Sequence, residues 1–463
     1  MKYRLLNMTS FISLGILATV GCVSVPDRPV MDNGWNDKPQ LLELERTVDS
    51  KKGLPVLTEQ SSLSDYLAYA ALNNPGLESA FNRWKAAIER IPQVTSLPDP
   101  KFSYTYFIEE LETRTGPQRQ RFGLAQMFPW FGTLELRGDV AVELANVEKE
   151  RYEAEKLSLF YRVKDAYYEY YYLSREIAVT KEMFDLLTYL ETVARTRYAV
   201  GSASNQDVIK AQVELGKLED RLNTLRDFRV PLAARLNAAL NRPEQTPLPW
   251  PDSIPLDRVE FTDAQVMDWL AQHNPDLKAI DYLMAKEEKS VKLAEKDFYP
   301  DFTFGINYME TGDARMPNTR GSSDDPVAVM LSIDVPIWRQ KYRAGMLEAK
   351  ARYDAAELQR HDKENMLKSQ AEMVLYRFRD AERKINLYHD TLIPKANQSL
   401  NVAQQTFAAG KLSFLDVLDA ERTLLEFKLA YERAFADRAQ RLAELEMIVG
   451  RELPGKSATK GGQ

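Results

Sequence analysis

Two kinds of hydrophobic spacing alternate along this chain, and each occurs twice. In the first, apolar residues recur in steps of three and four over very long distances. Met183, Leu186, Leu190 and Val193 are one run of this kind, the spacing by which long helices pack in coiled coils. It predicts a helix from about Leu134 to Val200, followed by a shorter one from Ser204 to about Leu240. The same pair is expected again from about Tyr342 to Ala409 and from Ser413 to Val449. At 1.5 Å per residue the first helix would reach roughly 100 Å, too long for a compact globular domain.

The second spacing has period two. Phe102, Tyr104 and Tyr106 alternate with Ser103 and Thr105; further on, Phe122, Leu124 and Phe128 share a face with Gln126. Later, Phe302, Phe304, Ile306 and Tyr308 oppose Thr303, Gly305 and Asn307, and Val327, Val329, Leu331, Ile333 and Val335 oppose Ala328, Met330, Ser332 and Asp334. These are strands with one apolar and one polar face. They suit either a small half-buried sheet or the lipid-facing wall of a membrane barrel. Four strands cannot close a barrel, so the second reading requires several copies; three would supply twelve strands. The segments near 108–120 and 309–326 are expected as the loops at the barrel end.

Punctuation confirms the repeat. Asn74-Pro75 recurs as Asn274-Pro275, and Pro98-Asp99-Pro100 as Pro300-Asp301. Phe128-Pro129-Trp130-Phe131-Gly132 and Val335-Pro336-Ile337-Trp338 follow the strand pairs, where proline breaks the ladder. Between the paired long helices, Arg197 to Val208 returns as Thr406 to Val417, 209 residues later (201 to 410). Gly201 and Gly410 fit the left-handed position that ends a helix. Ser204 and Ser413 fit the N-caps of the next helix, with Asp207 and Asp416 placed to return a bond. Each copy therefore reads as the tip of a helical hairpin. Ser64 is the expected cap of the first helix, and Tyr161, Tyr167, Tyr168, Tyr170, Tyr171 and Tyr172 are expected as packing between crowded helices.

Composition narrows the functions. The net charge is −7 with nothing basic clustered, so nucleic acid is not an expected partner. The three histidines, His273, His361 and His389, are scattered, and no metal site or cofactor is expected. No phosphate loop, ligand cluster or nucleophile motif appears, so an enzyme is not expected. The lone cysteine, Cys22, excludes an internal disulfide.

Lys2 and Arg4, the apolar run Phe11 to Ala18 and the small residues before Cys22 form a secretory signal. It resembles a bacterial lipoprotein signal, departing at Thr19, where leucine is usual. That resemblance implies lipidation of Cys22, and Val23 in place of an aspartate implies the outer membrane. The expected organisation is a signal peptide over 1–21, a lipidated arm or linker over 22–60, repeats over 61–245 and 262–452, and a disordered tail over 453–463.

Order, duplication and motifs together resemble the TolC-like outer membrane efflux proteins, from about Ser64 to Arg451. The Phe128–Gly132 stretch is closer to that family's heavy-metal-resistance branch. The resemblance implies an α+β fold with a duplicated helix–strand–strand–long hairpin unit. It implies a homotrimer, with a twelve-stranded barrel in outer membrane lipid continuing as a helical barrel across the periplasm. Its partners would be a periplasmic adaptor and an inner-membrane pump, which supplies the energy. It also places Asp416 and Asp419 as rings at the periplasmic entrance. Asp416 has a second reading, as a plain helix cap. Gly201, Ser204, Asp207, Gly410 and Ser413 are candidates for adaptor docking. The best-known family members lock the closed entrance with a tyrosine and an arginine at the positions of Phe407 and Leu412, which cannot make those polar bonds. The competing class is a non-conducting periplasmic coiled-coil scaffold or adaptor lipoprotein.

Overall fold

The computed structural model describes residues 57–58, 61–201, 204–251, 254 and 258–456. Cys22, the signal peptide, the arm up to residue 56 and the tail beyond 456 lie outside the described residues.

The chain begins with α1 (Leu63–Asn73) and α2 (Pro75–Thr95), then β1 (Lys101–Thr113) and β2 (Gly116–Phe128). The long α3 (Thr133–Ala199) and its return helix α4 (Asn205–Ala239) follow. After the two-residue β3 (Arg258–Val259), the order repeats as α5 (Asp263–His273), α6 (Pro275–Lys296), β4 (Asp301–Thr311) and β5 (Val327–Asp334). It continues with α7 (Arg339–Leu387), a π turn (Tyr388–Leu392), α8 (Ile393–Ala408) and α9 (Phe414–Val449), and ends with β6 (Gly455–Lys456).

The first helix is capped by Ser62, not Ser64. Ser62 is extended, and its N–H donates to Asp65 Oδ2 at 2.7 Å. Ser64 falls inside the first turn, its hydroxyl 2.7 Å from that of Ser62. The Asn-Pro pairs do more than start a helix. Asn74 Oδ1 accepts from the N–H groups of Gly76 and Leu77, while its Nδ2 donates to the Ala239 carbonyl at 3.1 Å. Asn274 accepts from Leu277 N–H and donates to the Ile448 carbonyl at 2.7 Å. In both repeats one side chain thus caps an entering helix and holds the end of the returning one.

The four long strands form one antiparallel sheet in the order β1-β2-β4-β5. Its register joins the apolar faces: Phe102 lies opposite Leu124, Leu124 opposite Ile306, and Ile306 opposite Val329. That face stays uncovered, with Val329 81% and Phe102 69% exposed. The outer edges of β1 and β5 have no partner strand among the described residues. The 108–120 segment is not a loop. β1 and β2 run through it with a register shift between Tyr106 and Leu111, and only Arg114 and Thr115 turn the chain. The second loop, 312–326, falls inside the expected segment.

The helical pattern expected to run unbroken to Ala409 is interrupted by the π turn at Tyr388–Leu392. Pro394 explains its place: proline has no N–H and its ring crowds the carbonyl four residues back, which a widened turn relieves. Among the described residues three large apolar clusters run through the helices, with a small fourth at Tyr171, Ile254 and Ala439. One joins α1, α3 and α4 (Tyr66, Leu159, Tyr170, Leu236); one joins α5, α7 and α9 (Leu270, Phe378, Leu445). The third fills the tips. Tyr167, Tyr170 and Tyr171 are buried as packing residues, Tyr170 stacking on Trp250 at 4.5 Å. Between the repeats, α3 and α9 run antiparallel, stitched by Lys164–Glu446, Glu169–Arg433, Arg175–Glu432 and Glu182–Lys428. The expected disordered tail is ordered at its start: Leu453 is buried, and Gly455–Lys456 pair with Arg258–Val259.

Candidate functional site: the paired helical tips

The described residues of both tips take the conformations that the repeated motif requires. Gly201 and Gly410 have φ of 72° and 75°, which a side chain would strain. At the second tip the Gly410 and Lys411 N–H groups return to the carbonyls of Phe407 and Thr406, closing the end of α8. Ser204 and Ser413 are N-caps with complete capping boxes. Ser204 Oγ accepts from Asp207 N–H at 3.3 Å, and Ser413 Oγ accepts from Asp416 N–H at 3.4 Å. In return, Asp416 Oδ2 accepts from Ser413 N–H at 3.2 Å and from the Ser413 hydroxyl at 2.6 Å. Asp416 therefore has a structural task at its helix start.

Asp419 has no part in the cap. It and Asp416 line a groove of about 370 Å³ between α8 and α9, together with Thr406, Leu412, Ala420 and Thr423. Both carboxylates are exposed. The structure thus brings this aspartate pair to one surface and leaves it open.

Beneath the tips lies the third cluster. Phe407 is 3% exposed and packs on Phe414, their ring centres 5.4 Å apart, and Leu412 borders the same cluster. Val208 and Ala211 of α4, Leu187, Leu190 and Ala194 of α3, and Val417, Leu418 and Leu424 of α9 complete it. The two tips of one chain therefore share a core. Arg197 of α3 ties them further: its guanidinium lies 4.6 Å from the Phe407 ring centre and donates to the Phe407 carbonyl. From α9, Arg422 donates to Glu214 of α4. Sequence patterning did not single out Arg197, Arg422 or Glu214.

One more residue was missed. Glu421 is 2% exposed, and its Oε1 has no hydrogen-bond partner. It stands in the apolar layer beside Leu418 and Leu424, where an acid is unexpected. Burial pushes its pKa up to about 7, the Glu214 carboxylate adding to the rise and Arg422 opposing it. Among the described residues, no group of three or more His, Cys, Asp or Glu side chains could hold a metal ion. No described helix is long and apolar enough to cross a membrane.

The sheet leaves its apolar face bare, and the long paired helical hairpins end in two tips, the second of which presents Asp416 and Asp419. The chain belongs to the outer membrane efflux protein family, whose profile matches residues 67–242 and 266–451. Over 162 residues it is 28% identical to the toxin and drug export protein A of Aggregatibacter actinomycetemcomitans, covering 35% of each chain. The chain thus spans about a third of the length of that relative. It is 39% identical over 61 residues to the cobalt-zinc-cadmium resistance protein CzcC of Cupriavidus metallidurans, covering 13% of this chain and 15% of that one. Among solved structures, the outer membrane protein VceC of Vibrio cholerae superposes with a TM-score of 0.69 at 18% identity, over 84% of this chain and 96% of that chain.

Proposed function

We propose that this protein is the outer membrane exit duct of a three-part efflux system, a passive conduit for cargo that an inner-membrane pump delivers through a periplasmic adaptor. The sheet carries this reading. Its apolar residues align across all four strands, remain bare, and end at two unpaired edges. Unpaired edges invite further strands, and a bare apolar face calls for lipid. Three copies joined β1 to β5 would close a twelve-stranded barrel and satisfy both needs. A periplasmic scaffold would leave that face in water.

In such a trimer Asp416 and Asp419 form rings at the periplasmic mouth, which attract cations and repel anions. The name of the cobalt-zinc-cadmium resistance relative is compatible with cationic cargo. Gly201, Ser204, Asp207, Gly410 and Ser413 form the surface for the adaptor, the glycines and serines allowing close approach of another hairpin. Cys22 carries a lipid that adds a second hold on the outer membrane.

Single-channel recording of the purified protein in planar bilayers, alongside its mass in detergent, tests this reading. A trimer with discrete cation-preferring openings is expected. A monomer that never inserts would sink it in favour of the scaffold.

A further inference from the structure

Glu421 lies two residues past Asp419, on the side of α9 that faces inward. Its neighbours in sequence and packing, Leu418, Leu424 and Leu425, belong to the tip core. Its Oε1 is sealed from solvent without a donor. The cation beside it, Arg422, is turned away onto Glu214 of α4, which also takes Lys217 at 2.8 Å. From α3 comes Glu191, likewise buried, but bonded by Arg195 and by Gln212 of α4 at 3.1 Å. From α8 the packed positions are Ala396, Leu400, Ala403 and Phe407, which bring no charge. Two of these three inward acids thus have donors, and Glu421 has none.

Ionising that carboxyl without a partner is costly, whereas the neutral carboxylic acid carries no such penalty. We propose that Glu421 is a proton-operated latch of the second tip. Protonated, it is a neutral part of the core that holds α9 against α3 and α4. Ionised, it draws water or the Arg422 guanidinium into the seam, so the tip carrying Asp416 and Asp419 loosens. The coupling to passage rests on the entrance reading above; the latch itself does not.

The direction follows from burial, which raises the closed-state pKa from 4.5 to about 7. The advantage of the closed tip is intact below the ordinary carboxyl range and is lost as pH rises through about 7. If opening hydrates the side chain fully, the open-to-closed ratio rises roughly 30-fold between about pH 5.5 and about pH 8.5.

The test uses the full-length protein in lipid nanodiscs, as wild type, Glu421→Gln and Glu421→Leu. Infrared spectra follow the C=O stretch of a carboxylic acid without hydrogen bonds, and amide hydrogen exchange over residues 405–425, corrected for intrinsic pH dependence, follows the tip. In the wild type the acid band should fade as pH rises through about 7, and tip exchange should quicken by tenfold or more. Both variants should lack that band and give pH-independent exchange. The latch is overturned if the band is absent at mildly acid pH, if wild-type exchange ignores pH, or if either variant keeps the wild-type dependence. Bilayer recordings of the same samples judge the channel separately: titration of the band and the tip without any conductance supports the latch and removes the conduit.

Discussion

The Arg197 guanidinium sits over the Phe407 ring, 4.6 Å from its centre, and donates to the Phe407 carbonyl. It spans 210 residues of sequence to join the two hairpin tips of one chain. Phe407 cannot donate or accept through its side chain, so the polar group comes from the opposite tip and uses the backbone and the π face. Leu412, where the resemblance implied an arginine, packs beside the core instead. Contact between the tips in this protein is thus mainly apolar, with Arg197 bridging it over the Phe407 ring and Arg422 bridging it to Glu214.

Arg197→Ala should loosen the tips. A partly desolvated cation–π contact is worth about 0.5–2 kcal/mol, so the variant's open probability in bilayers should rise by roughly two- to thirtyfold. Arg197→Lys should fall between, since an ammonium lacks the planar fork. Unchanged gating in Arg197→Ala would show that the shared apolar core holds the tips alone.

The two aspartates of the second tip can be separated because only one of them caps a helix. Asp416→Ala removes the N3 partner of the Ser413 cap and should cost about 0.3–1.5 kcal/mol of stability. Asp419→Asn should leave thermal unfolding almost unmoved and still reduce the cation preference measured as a reversal potential. Equal melting shifts would mean that Asp419 has a structural task after all. Full cation preference in the Asp416→Asn, Asp419→Asn double variant would mean that the mouth is lined by other charges.

The asparagine clamps give a third expectation. Asn274 is 3% exposed, and its side chain caps α6 while bonding the Ile448 carbonyl. Asn274→Ala removes both bonds and leaves a buried carbonyl unpaired, which should cost about 2–4 kcal/mol. Asn74, less buried, makes the equivalent bonds, so Asn74→Ala should cost less. Thermal unfolding of the two variants checks the order; a larger loss at Asn74 would contradict it.

Features with a local cause were legible in the sequence. A glycine in left-handed geometry followed by Ser-x-x-Asp specifies a tip from a dozen residues, so Gly201, Ser204, Gly410 and Ser413 stand where the pattern put them. The strand faces follow from period two. Choices between near-equal local options were less legible: Ser62 and Ser64 are both serines, and the better partner, Asp65, decides between them. The hairpin at Arg114-Thr115 was hidden because charged residues there read as loop. Long-range contacts were not legible at all. Nothing near Arg197 foretells a ring 210 positions away. Glu421 follows Asp419 as one more acid on a charged helix until its neighbours are seen.

The sheet offers the sharpest contrast, because adjacent positions on β5 face opposite sides. Val329 pairs with Ile306 on the apolar face, while Ser332 pairs with Thr303 on the polar one. If the apolar face meets lipid, Val329→Arg near the middle of the strand should cost about 2–4 kcal/mol, falling toward the interfaces. Ser332→Arg would face the water-filled interior and be tolerated. The readout is the fraction of heat-resistant oligomer recovered from outer membranes. Loss of assembly with Val329→Arg and not with Ser332→Arg is the expected pattern. The reverse would turn the barrel inside out. Indifference to both would argue that the face meets neither lipid nor a tight partner. A scaffold in water predicts a fourth pattern, with Val329→Arg improving solubility, because a bare valine gains nothing from exposure and an arginine there would be well hydrated.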